Sequence, residues 1–222
     1  MKAGVITFPG SNCDDDAVYT LESAGGFTVS RLWHKDSAKL SDFNLIVLPG
    51  GFSYGDYLRC GAMAAHSPIM QEVKTFSQMG GLVLGICNGF QILCEVGLLP
   101  GALARNEKLH FVCRDIPLKV ESTETPWTNA FIKEENVLFP IAHGEGRYII
   151  SETEYQEMKA NGQIVLTYTN NPNGSLHEIA GVCNRTKNVL GLMPHPERAT
   201  DLRSRHGIKL WNSIRSYLEQ ST

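Results

Sequence analysis

Two short segments of this chain carry residue types that can do covalent chemistry. The first is Gly85-Ile86-Cys87-Asn88-Gly89, a G-x-C-x-G that follows an apolar run and opens a helix-like stretch. It has the shape of a nucleophile elbow with a thiol in the hydroxyl position. A tight strand-to-helix turn pushes the central side chain outward, and flanking glycines remove the Cβ clashes that would forbid it. The helix N-terminus favours the thiolate, and the backbone N–H of Asn88 points toward an oxygen gaining charge on the attacked carbon. A cysteine elsewhere in a chain is most often a small buried hydrophobe; the elbow context sets Cys87 apart. A thiolate nucleophile needs a base, and the base needs an orienting group. His195-Pro196-Glu197 supplies both. Pro194 and Pro196 each hold the preceding residue out of helical backbone, so the segment is predicted to be extended, with His195 and Glu197 on one face.

The rival pair is His143-Gly144-Glu145, with the same spacing but a glycine where the other has proline. It ranks second as a base and higher as a substrate-contact loop. A third feature is the run Leu45 to Gly51 (LIVLPGG). A glycine pair at the C-terminal end of a buried strand suits a loop that offers backbone N–H groups to an anion or oxyanion, since ligands bind at that edge of open sheets. Gly50 and Gly55 match the opening of a phosphate-binding loop, but Asp56-Tyr57 stands where lysine and a hydroxyl residue are needed. Phe8-Pro9-Gly10-Ser11-Asn12 lacks the three glycines of a dinucleotide fingerprint. No C-x-x-C, H-E-x-x-H or Cys/His cluster is present, so no metal site is expected.

The elements that must hold these residues can be read from the apolar runs. Ala3 to Phe8, Phe27 to Trp33, Asn44 to Leu48 and Leu82 to Ile86 read as strands, as do Gln163 to Thr169, Ile179 to Cys183 and Val189 to Met193. Between them, Asn12 is expected to cap a helix with Asp14, Asp15 and Asp16 in its first turn. Ser67-Pro68 starts another that runs to Met79, Cys87 to Val96 forms a third, and Ile208 to Glu219 a last one. Alternating apolar strands and helices imply an α/β fold with a mostly parallel central sheet flanked by helices on both faces, and a strand-rich second half. The 222 residues are expected to form one domain, 1–222. The 20 basic residues against 23 acidic ones give no basic excess for a nucleic-acid backbone. No apolar run reaches the ~18 residues of a membrane span, and the short run before Pro9 does not suit a signal segment. The chain is therefore expected to be cytoplasmic, with its six cysteines as free thiols.

Together the three motifs resemble the class I (triad) glutamine amidotransferases: Pro49-Gly50-Gly51, the elbow extended to Gly85-Ile86-Cys87-Asn88-Gly89-Phe90-Gln91, and His195-Pro196-Glu197, in that order. Phe8 to Asp14 (FPGSNCD), Gly50 to Gly61 (GGFSYGDYLRCG) and His143 to Tyr148 (HGEGRY) look like the glutaminase subunits of phosphoribosylformylglycinamidine synthase, and the likeness covers essentially the whole length. The resemblance implies Cys87 as nucleophile, His195 as base and acid, and Glu197 as its orienter. It also implies the backbone of Gly51, or Phe52, with Asn88 as oxyanion donors. Gln91 and His143, Gly144 and Glu145 become contacts to glutamine. It implies no cofactor in this chain, ATP and magnesium on a partner synthetase subunit, and a small bridging subunit. Tyr54 to Arg59 is the expected partner-facing stretch.

Overall fold

The computed structural model describes residues 1–36, 39–56, 59, 61–201 and 204–220. Tyr57 and Leu58, within the stretch expected to face a partner, and Cys60 lie outside the described residues. In chain order the elements are β1 (Lys2–Thr7), α1 (Asp14–Ser23), β2 (Thr28–Trp33), β3 (Leu45–Leu48), α2 (Ala62–Ala65), α3 (Pro68–Gln78), β4 (Leu82–Ile86), α4 (Asn88–Glu95) and β5 (Ala102–Ala104). They continue with β6 (Val112–Val120), β7 (Asn136–His143), β8 (Arg147–Ile149), α5 (Glu152–Ala160), β9 (Ile164–Tyr168), β10 (Ile179–Cys183), β11 (Val189–Leu192) and α6 (His206–Gln220).

Nine strands make one sheet in the order β2-β1-β3-β4-β11-β10-β9-β6-β7, while β5 and β8 pair separately. The pairings from β2 to β11 are parallel and those from β11 to β7 antiparallel. Following directions across the sheet, only β10 and β6 oppose β1. The sheet is mostly parallel in direction, with an antiparallel half built from the second part of the chain. β3, β4 and β11 are buried at every position, as strands covered on both faces must be. The chain steps one way from β1 to β2 and the other way from β3 to β4. With right-handed crossovers, this puts α1 and α3 on opposite faces.

That reversal matters for the site, because the loops after β1 and β3 open side by side at the C-terminal sheet edge, where the strand order switches. The elbow follows β4, the His195 segment follows β11, and His143 closes β7. Although β7 is the far edge strand, it reaches back to the centre of this face: the N–H of His195 donates to the Pro140 carbonyl at 2.8 Å. One local expectation fails. Asn12 does not cap α1; Cys13 is the N-cap, with no side-chain cap bond, and the Asn12 amide oxygen instead accepts from the Cys13 thiol at 3.2 Å. The three aspartates in the first turn remain, where the helix dipole favours them. Among the described residues, no helix is long and apolar enough to cross a membrane.

Candidate active site

Cys87 lies between β4 and α4 with φ 50° and ψ −104°, a left-handed backbone conformation rare for a residue with a Cβ. Its neighbours allow the turn. A Cβ on Gly89 would lie 2.0 Å from the Leu48 carbonyl oxygen, and one on Gly85 would strike Leu93 and the backbone of Gly89. The elbow is thus wedged against the end of β3 and leaves no room for larger residues. The Cys87 N–H donates to Leu192 on β11 at 2.8 Å, and its sulfur lies 3.8 Å from the Ala142 carbonyl oxygen on β7. Among the described hydrogen bonds, the Asn88 N–H donates none. It is one of the unsatisfied amides at the start of a helix.

His195 and Glu197 meet as expected, but by a different backbone path. The chain stays extended only through His195; Pro196 then begins a single 3₁₀ turn, Pro196–Arg198. Proline is at home in the first position of a helical turn, and the turn folds Glu197 under the ring. Glu197 Oε1 accepts from His195 Nδ1 at 2.6 Å, with both side chains buried. Burial opposes the charged imidazole. The Glu197 carboxylate outweighs it, aided by the sulfurs of Cys87 and Cys13, and holds the ring's pKa well above its ordinary value. The opposite ring nitrogen, Nε2, is buried without a hydrogen-bond partner among the described residues. A Cβ on Gly50 would sit 2.8 Å from His195 Cε1, 3.2 Å from Cys13 Sγ and 3.4 Å from Cys87 Cβ. The Cys87 side chain and the His195 imidazole therefore share one space, kept open by the absence of a side chain at position 50.

The loop after β3 is fixed to the loop after β1. Ser11 and Gly51 form an isolated antiparallel bridge, and Phe52 N–H donates to the Gly10 carbonyl at 3.0 Å. That bond occupies the Phe52 N–H, one of the two candidate donors, and leaves Gly51, whose N–H donates none of the described hydrogen bonds. Gly51 has φ 137°, and a Cβ there would meet the backbone of Ser11 and Asn12 at about 2.9 Å. The Asn88 side chain ties this loop to the elbow, accepting from Ser53 N–H at 3.3 Å and donating to Gln91 Oε1 at 2.8 Å.

The rival pair is built differently. His143 is buried, but its Nδ1 meets Asn106 Oδ1 at 3.1 Å, not Glu145. Burial, with the neighbouring charge of His195, pushes its pKa down to about 4. It is a neutral, hydrogen-bonded ring near neutral pH. Gln91 is buried too, and its amide donates to the Glu145 carbonyl at 2.6 Å. The groups expected to contact glutamine are thus tied to each other, and the Glu145 side chain pairs with Arg105 at 3.4 Å.

The profile of the CobB/CobQ-like glutamine amidotransferase domain matches residues 1–215. The PurQ subunit of phosphoribosylformylglycinamidine synthase from Alkaliphilus metalliredigens is 54% identical, covering 99% of this chain and 97% of that one. Its counterpart from Nostoc sp. is 54% identical over 96% of both. The chain belongs to the PurQ family of glutamine amidotransferases. Among solved structures it is similar to PurLQS from Thermotoga maritima, with a TM-score of 0.91 and 48% identity over 98% of both chains. A glutamine amidotransferase from the same organism shares the fold, at a TM-score of 0.61 and 17% identity, covering all of this chain and 85% of that one.

Several residues of this PurQ-family site escaped the sequence reading. Cys13 is buried beside His195, and Arg198 donates to it at 3.2 Å while its Nε donates to Asp16 at 2.8 Å. Asn106 is 1% exposed and bonds His143, Gly146 and His110. Neither stands in a motif with a spacing rule. Position 13 carried a signal, as the only thiol in the Phe8 to Asp14 stretch. The five described cysteines are unpaired.

Proposed function

We propose that this chain, acting over residues 1–222 as one glutaminase unit, hydrolyses glutamine to glutamate and ammonia. The ammonia passes to a synthetase subunit that converts formylglycinamide ribonucleotide to formylglycinamidine ribonucleotide. The observation that carries the reading is the Cys87 elbow opening onto the His195–Glu197 pair through the gap at Gly50. Cys87 attacks the amide carbon of the glutamine side chain, and the oxygen that becomes negative faces the N–H groups of Gly51 and Asn88. His195, kept protonated by Glu197, gives its Nε2 proton to the leaving nitrogen. Ammonia departs, and a glutamyl thioester remains. Water entering the vacated place loses a proton to His195 and attacks the thioester carbon, and the second oxyanion collapses to glutamate and free Cys87. Glu197 keeps the ring oriented throughout without taking the proton.

Ammonia released into bulk water near neutral pH gains a proton and stops being a nucleophile, so a partner with a sheltered path fits this chemistry. A synthetase subunit and a small bridging subunit fit as partners, and the Thermotoga maritima relative was solved as PurLQS. ATP and magnesium belong to the synthetase in this reading, no cofactor is assigned to this chain, and the site of action is the cytoplasm. The test is ammonia release from glutamine by the purified chain, with and without the synthetase subunit. Activity that appears with the partner and disappears in Cys87→Ala, while ammonia-driven synthesis continues, is the expected result. Loss of both activities in Cys87→Ala would defeat the division of labour.

A further inference from the structure

Gly51 lies in a peptide with glycine on either side of it. A Gly50–Gly51 peptide plane can rotate between two orientations with little steric resistance from its own residues, so its orientation is decided from outside: by Cys13, whose N–H makes a long 3.4 Å bond to the Gly50 carbonyl, and by whatever holds the segment that follows. The segment just downstream is held by an unusual contact. Tyr54, with φ 55°, donates its N–H to the Pro9 carbonyl at 2.6 Å and sends its ring inward. Its hydroxyl meets His34 Nδ1 at 2.8 Å and Ser67 Oγ at 3.2 Å, and His34 Nδ1 also lies 3.3 Å from Ser67 Oγ.

These partners come from fixed elements. His34 follows β2 and donates its N–H to Thr7 on β1 at 3.1 Å, and its carbonyl accepts from Ile69 in α3. Ser67 is the N-cap of α3, but its hydroxyl makes no capping bond and is spent on Tyr54 and His34 instead. His34 Nε2 and Ser53 Oγ are buried with no partner among the described residues. Buried polar atoms left without partners cost stability and mark places shaped for something other than stability. Burial, more than the nearby Lys35, lowers the His34 pKa, so its ring is neutral and available as an acceptor.

We propose that Tyr54, His34 and Ser67 form a latch that fixes the loop after β3 and so sets the orientation of the Gly51 N–H as an oxyanion donor. Tyr54 is a positioning residue: it touches neither substrate nor the reacting sulfur. The inference rests on the glutaminase reading for its kinetic consequence, but the latch itself can be tested without turnover.

The first measurement is amide hydrogen exchange of the full chain. In Tyr54→Phe the amides of Phe52 and Tyr54, bonded to Gly10 and Pro9, are expected to exchange at least tenfold faster, with those of β4 unchanged. Ser67→Ala shows the same change, smaller. The second measurement is kinetic, with the synthetase subunit present. Tyr54→Phe lowers kcat for glutamine hydrolysis about tenfold or more, with KM within twofold. Alkylation of Cys87 by iodoacetamide, a displacement that forms no oxyanion, keeps its rate. Unchanged exchange overturns the latch. Faster exchange with unchanged kcat overturns its link to the Gly51 donor, and alkylation that slows in step with kcat assigns the effect to the sulfur instead. A wild-type chain that hydrolyses no glutamine would remove the glutaminase reading, and the exchange data would still decide the latch.

Discussion

The chain contains two histidines placed two residues before a glutamate, both buried at the same sheet edge, and they have opposite fates. His195 is paired with its glutamate and held toward the charged form; His143 is turned away from its glutamate and held neutral. Burial pushes both rings the same way, so the difference comes from the partner. The partner is decided by the local turn after each histidine. Pro196 starts a 3₁₀ turn that folds Glu197 beneath the ring, whereas Gly146, where a Cβ would lie 2.4 Å from the His143 ring, lets the second loop close tightly around Asn106. Spacing brings a histidine and a carboxylate into the same neighbourhood; the local turn decides whether they meet.

Four measurements break or sharpen this contrast. The largest effect is expected from exchanging each ring for an amide. His195→Gln should lower glutamine hydrolysis by about 10⁴-fold or more, the scale seen when a triad member is lost, while His143→Gln keeps most of it. Equal losses in the two variants would erase the distinction. Next, Glu197→Gln should cost about 10²-fold or more in kcat. Without the carboxylate the His195 pKa falls, so the alkaline limb of kcat/KM moves to lower pH; Glu145→Gln leaves that limb in place.

The third measurement is urea unfolding of the two histidine variants between pH 7 and pH 4. The pKa of His143 is lowered by folding from 6.5 to about 4. As pH falls below 6.5 the unfolded state takes up the proton first, and stability drops until the folded ring titrates as well. At about 1.4 kcal/mol per pKa unit, the wild-type chain loses about 3 kcal/mol through this residue across that window. His143→Gln should flatten the slope there. The smallest effect is expected from Asn106→Ala, which strips His143 Nδ1 of its partner and should cost about 1–3 kcal/mol of stability. A pH dependence of stability that stays unchanged in this variant would show that Asn106 does not set the state of the His143 ring.

Much of this arrangement was legible in the residues. Strands as apolar as Leu45–Leu48 and Leu82–Ile86 announce themselves, and Gly85 and Gly89 around Cys87 mark a turn that only a strand-to-helix elbow uses. The long hairpin of β6 and β7 was not legible. Val112–Val120 exposes Arg114, Asp115 and Pro117 and half-buries Lys119, so it shows no clean apolar run, yet eight register pairs hold it against Asn136–His143. Helix α5 was missed because only Met158 is buried along it; it is held by a capping box at Ser151 and Glu154. The His195–Glu197 contact was foreseen for an incomplete reason, since two prolines suggest extension and the second one opens a turn. Cys13 and Asn106 come from loops whose partners, Arg198 for one and His143 and Gly146 for the other, are distant in sequence, and no local pattern encodes that.

The backbone of Cys87 has a consequence for the whole molecule. A non-glycine residue in such a conformation carries on the order of 1–3 kcal/mol of internal tension that the surrounding packing must absorb. Replacing it by glycine relieves that tension, while the extra freedom of glycine in the unfolded chain returns about 0.5–1 kcal/mol. Cys87→Gly should therefore melt a few degrees above Cys87→Ala, since for a chain of this size 1 kcal/mol is worth about 2–4 °C. A side chain of any kind is held at this bend under tension, and the fold around it must carry that load for as long as the sulfur is on show.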